Sequence, residues 1–334
     1  MKVLVTGGGG FLGLAIVRAL IERGDSVRSF SRGRHHSLTE LGVEQQQGDL
    51  ADPAAVCCAV AGCQLVFHVA AKAGIWGRFQ EYFDANVIGA QNVLDACRRN
   101  GVQRLVYTST PSVVFDGCDM TGADESVPYP TRYLSHYPAT KADAERRVLA
   151  ANSSDLATVA LRPHLIWGPG DTNLVPRILK RGRKGNLRRL GQCNPLIDTT
   201  YIDDAVAAHL LAADCLDPAG PACGRTYFVS SGQPVPVWDM VNSILAADGQ
   251  PPVTRSVPVS VAYATGAILE AVYWLFGLSG EPRMTRFLAK ELSTAHWFDI
   301  SAARRDLGYE PKVTIEQGLR CLSRALNSAR VLGD

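Results

Sequence analysis

Lys2-Val3-Leu4-Val5-Thr6-Gly7-Gly8-Gly9-Gly10-Phe11-Leu12-Gly13 opens the chain with a short apolar run, a glycine string and the start of an amphipathic stretch. Glycines at 7, 10 and 13 give the spacing G-x-x-G-x-x-G. Between a strand and a helix, such a loop turns tightly and lets backbone approach a pyrophosphate. The free N–H groups and the positive dipole end of the helix then hold the anion. A glycine string alone reads equally well as a flexible turn, and it is the order strand, loop, helix that distinguishes the two. The stretch therefore predicts a dinucleotide loop in an α/β fold, with Gly7, Gly10, Phe11, Leu12 and Gly13 at the ligand.

Outward from this loop, short β-rich runs alternate with amphipathic stretches, the pattern of parallel βαβ units. Strands are predicted over 2–6, 26–31, 65–69, 104–109 and 158–162, apolar enough to be buried on both faces. Another short strand precedes Gly48. Helices are predicted over 11–23, 86–100 and 138–151, with Gly24 and Gly101 as left-handed stops after the first two. The implied architecture is a Rossmann-type doubly wound parallel sheet with a smaller C-terminal substrate domain. Gly168-Pro169-Gly170 reads as the exit from the first unit. Residues 1–170 are thus expected to bind the dinucleotide and 171–334 mainly the substrate, with 196–230 returning to the first unit.

Bulk properties narrow the function. A length of 334 residues suits one large α/β domain with an appendage, and 46% hydrophobic with 20% charged residues is the balance of a globular enzyme. A net charge of +2 makes no case for nucleic acid. The basic run 177–189 reads as a solvated helix face or a loop near a phosphate. Nine cysteines, with no C-x-x-C pair and no nearby histidine cluster, indicate free thiols and no metal site. The N-terminal residues lack the long apolar region of a signal peptide, so a reducing cytoplasm is expected. Residues 257–278 are the most apolar stretch. Glu270 within it argues against a membrane span, and the expectation is an apolar wall or lid for a long alkyl chain, with Glu270 at its wet rim.

The chemistry-bearing residues follow the strands. After the second strand an NAD site usually carries an acid for the ribose 2′-hydroxyl, but here stand Ser31 and Arg32, which suit the 2′-phosphate of NADP(H). Asp49, followed by Leu50, is placed to accept the adenine amino group or to act as a helix N-cap, for which Asp52 is better placed. Ala70 and Ala71 let a cofactor lie against the strand ends. Tyr137 and Lys141, at i and i+4, share a helical face. A tyrosine with an ordinary pKa near 10 needs a nearby cation to exchange protons at neutral pH, and Lys141 is expected to supply it. A partner hydroxyl should come from Tyr107-Thr108-Ser109-Thr110, where position alone does not choose between Ser109 and Thr110.

Together with His68-Val69-Ala70-Ala71, Asn86-Val87-Ile88-Gly89, Leu161-Arg162-Pro163 and Trp167-Gly168-Pro169-Gly170, these motifs resemble the extended short-chain dehydrogenases/reductases. The match runs nearly end to end and is nearest the branch of 3β-hydroxysteroid and sterol decarboxylating dehydrogenases. The resemblance implies Thr110 at the place of the family's catalytic serine and Asn86 as an organiser of the active site. It also implies Pro163 beside the nicotinamide, with Lys72 and Thr108 among the cofactor contacts. The segments 71–77, 165–171 and 198–203 are similar to the 2-alkyl-3-oxoalkanoate reductases of bacterial long-chain olefin biosynthesis. This implies NADPH-dependent reduction of a long-chain apolar β-keto acid, with Lys72, Arg78 and Arg162 as candidates for its carboxylate. It leaves room for a homodimer and for association with other olefin-pathway enzymes. The rivals are a steroid dehydrogenase, a sugar-nucleotide epimerase or dehydratase, and a silent NADP(H)-sensing protein, which would have been free to lose Tyr137 or Lys141.

Overall fold

The protein was analysed as a computed structural model that describes residues 1–217 and 220–331. Its core is a seven-stranded sheet of β1 (Lys2–Thr6), β2 (Ser26–Ser31), β3 (Glu44–Gln47), β4 (Leu65–His68), β5 (Arg104–Thr108), β6 (Ala157–Pro163) and β7 (Arg225–Val229). They lie in the order β7-β6-β5-β4-β1-β2-β3, and every pair is parallel. Side chains alternate between two cores. Val3, Val5, Leu65 and Phe67 enter one, while Leu4, Val66, Leu105 and Tyr107 enter the other. Burial on both faces explains why these strands read as continuous apolar runs. The polar β3, Glu-Gln-Gln-Gln, is tolerated because it forms an edge.

Helices α1 (Phe11–Glu22) and α6 (Ile202–Asp214) cover the first face. Helices α2 (Pro53–Val60), α3 (Gly89–Arg99) and α4 (His136–Ala150) cover the second. Asp52 caps α2, accepting from the Ala54 and Ala55 N–H groups, with Pro53 in the first turn. Gly24 and Gly101 adopt φ of +84° and +67°, the left-handed stops expected of them. The helix predicted from 86 instead starts at Phe79 and passes through a π-helical turn, Phe83–Ile88, into α3. Such turns are frequent at functional sites, and this one contains Asn86. The seventh strand, β7, lies within the segment expected to return, and its whole length, Arg225 to Val229, pairs with Val159 to Pro163 of β6.

The chain order reverses between β1 and β4, which opens a crevice at the carboxyl ends of these strands. The second part of the chain contributes α5 (Leu174–Arg183), α7 (Val259–Phe276) and α8 (Arg286–Glu291). Helix α7 departs from expectation. It packs on α8 through a stripe of Ala262, Gly266 and Glu270, spaced i, i+4, i+8, while Ile268, Trp274, Leu275 and Phe276 are exposed. Glu270 is not at a wet rim. It is buried and accepts from both the backbone N–H and the Nε of Arg286, at 2.6 Å each, because the first turn of α8 needs an acceptor.

Candidate active site

At the end of β1 the backbone folds on itself. Gly7 takes φ of +71° and donates its N–H to Phe30 O at 2.8 Å; a Cβ there would lie 3.0 Å from the Ala70 backbone. A Cβ on Gly13 would lie 2.1 Å from the Gly7 carbonyl oxygen. These two glycines are required by close approach of backbone, and the result is an open cradle at the N-terminus of α1.

The cradle forms one wall of a cavity of about 980 Å³. Gly7, Gly10, Phe11, Leu12 and Gly13 line it with Ser31, Arg32, Asp49, Leu50, Ala70, Ala71, Lys72, Thr108, Ser109, Thr110, Tyr137, Lys141 and Pro163. The sequence-expected set, apart from Asn86, therefore converges on one space. Arg32 follows β2 with no acid beside it, and Ser31 turns its hydroxyl to Gly33 O at 2.8 Å. Asp49 accepts from the Ala51 N–H at 2.9 Å, which fixes its loop.

The loop after β4 is held by Asn86. Its Oδ1 accepts the Lys72 N–H at 2.7 Å, while its Nδ2 donates to Lys72 O at 3.1 Å and Thr140 Oγ1 at 3.0 Å. Asn86 does not reach the cavity. It ties the loop 70–72 to α4, and so sets the distance between the strand ends and the face carrying Tyr137 and Lys141.

Lys141 donates to Thr108 O at 2.6 Å and sits 4.1 Å from the Tyr107 ring centroid. Burial lowers its ammonium to about 7, against the pull of the Glu145 carboxylate. Burial pushes the Tyr137 hydroxyl up to about 12, partly offset by the polar Thr110 side chain beside it. Within the protein the Lys141 ammonium faces the Thr108 carbonyl. Thr108 itself donates its hydroxyl to His209 Nε2 at 2.8 Å, since His209 Nδ1 is committed to Ala205 O. Thr110 Oγ1 lies beside Tyr137 and bonds Ser112, donating to its Oγ and accepting its N–H at 3.3 Å each, whereas Ser109 Oγ is buried with no partner. A buried orphan hydroxyl beside a glycine cradle and an exposed arginine fits a dinucleotide with a polar nicotinamide end.

Three cations take separate fates. Lys72 lines the cavity and pairs with Glu81 at 2.8 Å. Arg78 is exposed and lies outside the cavity lining. Arg162 is corrected: it is buried, forks onto the buried Glu145 at 2.6 and 3.1 Å, and lies beside the Tyr129 and Phe228 rings. An arginine of β6 points into the sheet–helix interface and needs that carboxylate to be buried at all, so it cannot turn to a substrate. The cavity lining also includes Glu291, at the end of α8, whose carboxyl pKa is raised by burial. Nothing in the sequence around Glu291 signals this, because α8 is short and is carried to the cavity by packing alone. No residue of α7 lines the cavity, so the expected lid is not formed there.

A tyrosine, a neighbouring threonine and a lysine, set opposite a glycine cradle on a doubly wound sheet, define an oxidoreductase of the short-chain dehydrogenase/reductase type, which works with a nicotinamide cofactor. Residues 4–259 match the 3-beta hydroxysteroid dehydrogenase/isomerase family, and the chain belongs to it. A 2-alkyl-3-oxoalkanoate reductase of Stenotrophomonas maltophilia (strain K279a) is 54% identical, covering 96% of this chain and 98% of that protein. Its namesake from Shewanella oneidensis is 53% identical, covering 96% and 85%. Among solved structures, the UDP-glucose 4-epimerase of Thermus thermophilus in complex with NAD aligns with a TM-score of 0.75 at 25% identity, covering 98% of this chain and all of that one.

Proposed function

We propose that this enzyme reduces the 3-keto group of long-chain 2-alkyl-3-oxoalkanoic acids to the 2-alkyl-3-hydroxy acids, reversibly, with NADPH, in hydrocarbon biosynthesis. The observation that carries the substrate is end-to-end similarity, above one half, to two reductases of that name. The cavity supports the chemistry.

When bound, the reduced cofactor supplies the hydride. Tyr137 donates its hydroxyl proton to the ketone oxygen as negative charge develops there, and its raised pKa keeps that proton in place at neutral pH. Thr110, beside Tyr137, is the hydroxyl that helps hold the oxygen, and Ser109 Oγ serves the nicotinamide end. Lys141 bonds the nicotinamide ribose, Pro163 bounds the ring, and Asn86 positions the loop they face. Arg32 with Ser31 takes the 2′-phosphate, which is the ground for NADPH over NADH. Residues 1–170 are assigned to the cofactor. Residues 171–334 serve mainly the substrate, with 196–230 returned to the sheet, a division supported by β7 on β6. The reading keeps the cytoplasmic placement and leaves association with other enzymes of the pathway open to test.

The test is a panel of 2-alkyl-3-oxo acids, 3-ketosteroids and UDP-sugars with NADPH and with NADH, followed by absorbance of the reduced cofactor. Oxidation of NADPH by the oxo acids, well above NADH and above the other two classes, is the expected result. Turnover confined to steroids or sugar nucleotides overturns the substrate assignment, and preference for NADH overturns that of the cofactor.

A further inference from the structure

Helix α7 carries one charge in 18 residues, and that charge, Glu270, is turned inward to Arg286. What remains outside is apolar. Val261, Ile268, Leu275, Phe276 and Leu278 are exposed, and Trp274 is 79% exposed. The helix is pinned rather than loose: a Cβ on Gly266 would come within 2.6 Å of the Thr285 backbone. One side is therefore committed to protein, and lipid cannot surround it as it surrounds a spanning helix.

Both ends of α7 are basic. At its start, the strand pair Ser256–Val257 and Arg189–Leu190 brings Arg188, Arg189 and Arg255 together, with the Arg189 N–H on Arg255 O. At its end, Arg181 donates to Arg283 O, Arg177 pairs with Glu281, and Arg286 is half-exposed beside Glu270. The same end touches the loop that follows β4. Tyr273 packs edge-on to Trp76 with ring centroids 6.1 Å apart, and the Ile75 N–H donates to Glu281 Oε1 at 3.2 Å. Trp76 and Ile75 belong to the loop whose first residues, Ala71 to Ala73, line the cavity.

From this we infer that α7 seats the enzyme on the surface of an anionic lipid bilayer, lying in the plane of the interface with Trp274, Leu275 and Phe276 below the headgroups. An apolar face with a tryptophan at its edge and cations at both ends is what such an interface accepts. A second copy of the chain fits less well. An isologous contact through α7 sets basic ends against basic ends in either orientation, whereas anionic headgroups neutralise them. Seating α7 in this way also turns the Trp76 loop, and the cavity behind it, toward the phase in which a long-chain acid resides. That delivery role rests on the substrate proposed above; vesicle binding does not.

The experiment is flotation of the full chain with vesicles of phosphatidylcholine alone and of phosphatidylcholine with phosphatidylglycerol in equal parts, with tryptophan quenching by brominated lipid. The wild type should float with the anionic vesicles, release as salt rises, and show quenching, since Trp167 and Trp238 are buried and Trp274 is not. A variant carrying Trp274→Ser, Leu275→Ser and Phe276→Ser should bind ~100-fold more weakly while cofactor affinity and circular dichroism stay unchanged. Arg188→Glu with Arg255→Glu should reduce binding to anionic vesicles alone. Wild-type protein left in the aqueous fraction, or a serine variant that floats as well, overturns the inference. So does a concentration-dependent dimer that the serine variant dissociates in the absence of vesicle binding. Vesicle binding with no reduction of oxo acids, by contrast, removes only the substrate reading.

Discussion

Helices α1 and α7 are both rich in large apolar side chains, and they put them to opposite uses. In α1, Leu12, Ile16, Val17 and Leu20 recur at helical spacing and are all buried against the sheet. In α7 the apolar residues run around the helix without a polar face. The residues it buries are a stripe of two small side chains and one paired acid. Periodicity tells a helix which way to lie on a core, and hydrophobicity without periodicity does not. The same contrast holds between the sites these helices serve. The cavity beside α1 is a place where most polar groups are partnered, and the surface of α7 is one where there is little to partner.

Substitutions can break this contrast or sharpen it. The largest effect belongs to the cavity: Tyr137→Phe removes the proton donor and should lower kcat by ~10²–10⁴, with cofactor affinity almost unchanged in a binding titration. Near-normal turnover would end its assignment. Next comes the core under α1, where Ile16→Ala should cost about 2–5 kcal/mol in denaturant unfolding, because Ile16 is 0% exposed.

Lys141 gives an effect of similar size with a pH signature. Folding holds its ammonium at about 7 instead of the ordinary 10.5, so between those values the unfolded chain binds the extra proton and stability rises with pH. Below pH 7 both states are charged and the full penalty stands. Lys141→Met should therefore be more stable than the wild type, by on the order of a few kcal/mol at pH 6, and unfold at higher temperature. That advantage should shrink as pH approaches 10 while activity is lost throughout. A pH-independent difference would show that burial of charge is not its source.

Smaller again is Arg32→Ala, which should weaken NADPH by about 10–100-fold from the loss of charge-assisted bonds and leave NADH nearly untouched; equal losses refute the 2′-phosphate contact. The smallest effect is expected on α7. Ile268→Ala, the same chemical change as at Ile16, should move stability by no more than ~0.5 kcal/mol, since Ile268 is 64% exposed. A loss comparable to that at Ile16 would mean that α7 is covered in solution and would erase the comparison.

Much of this protein is local and therefore legible in the chain. The glycine spacing, the both-faces-apolar strands, the stops at Gly24 and Gly101 and the i, i+4 placement of Tyr137 and Lys141 follow from backbone sterics and helical pitch. They required no knowledge of distant residues. Tertiary structure decided the rest, for reasons of packing and dielectric. It turned Lys141 to the Thr108 carbonyl and lowered its pKa, set Thr110 beside Tyr137 while leaving Ser109 without a partner, and made Asn86 a tie through a π-helical turn. It consumed Arg162 on Glu145, carried Glu291 to the cavity across the fold, and left α7 bare. Whether a charge is partnered or an apolar face covered depends on what packs against it, and in this chain those partners lie far apart in sequence.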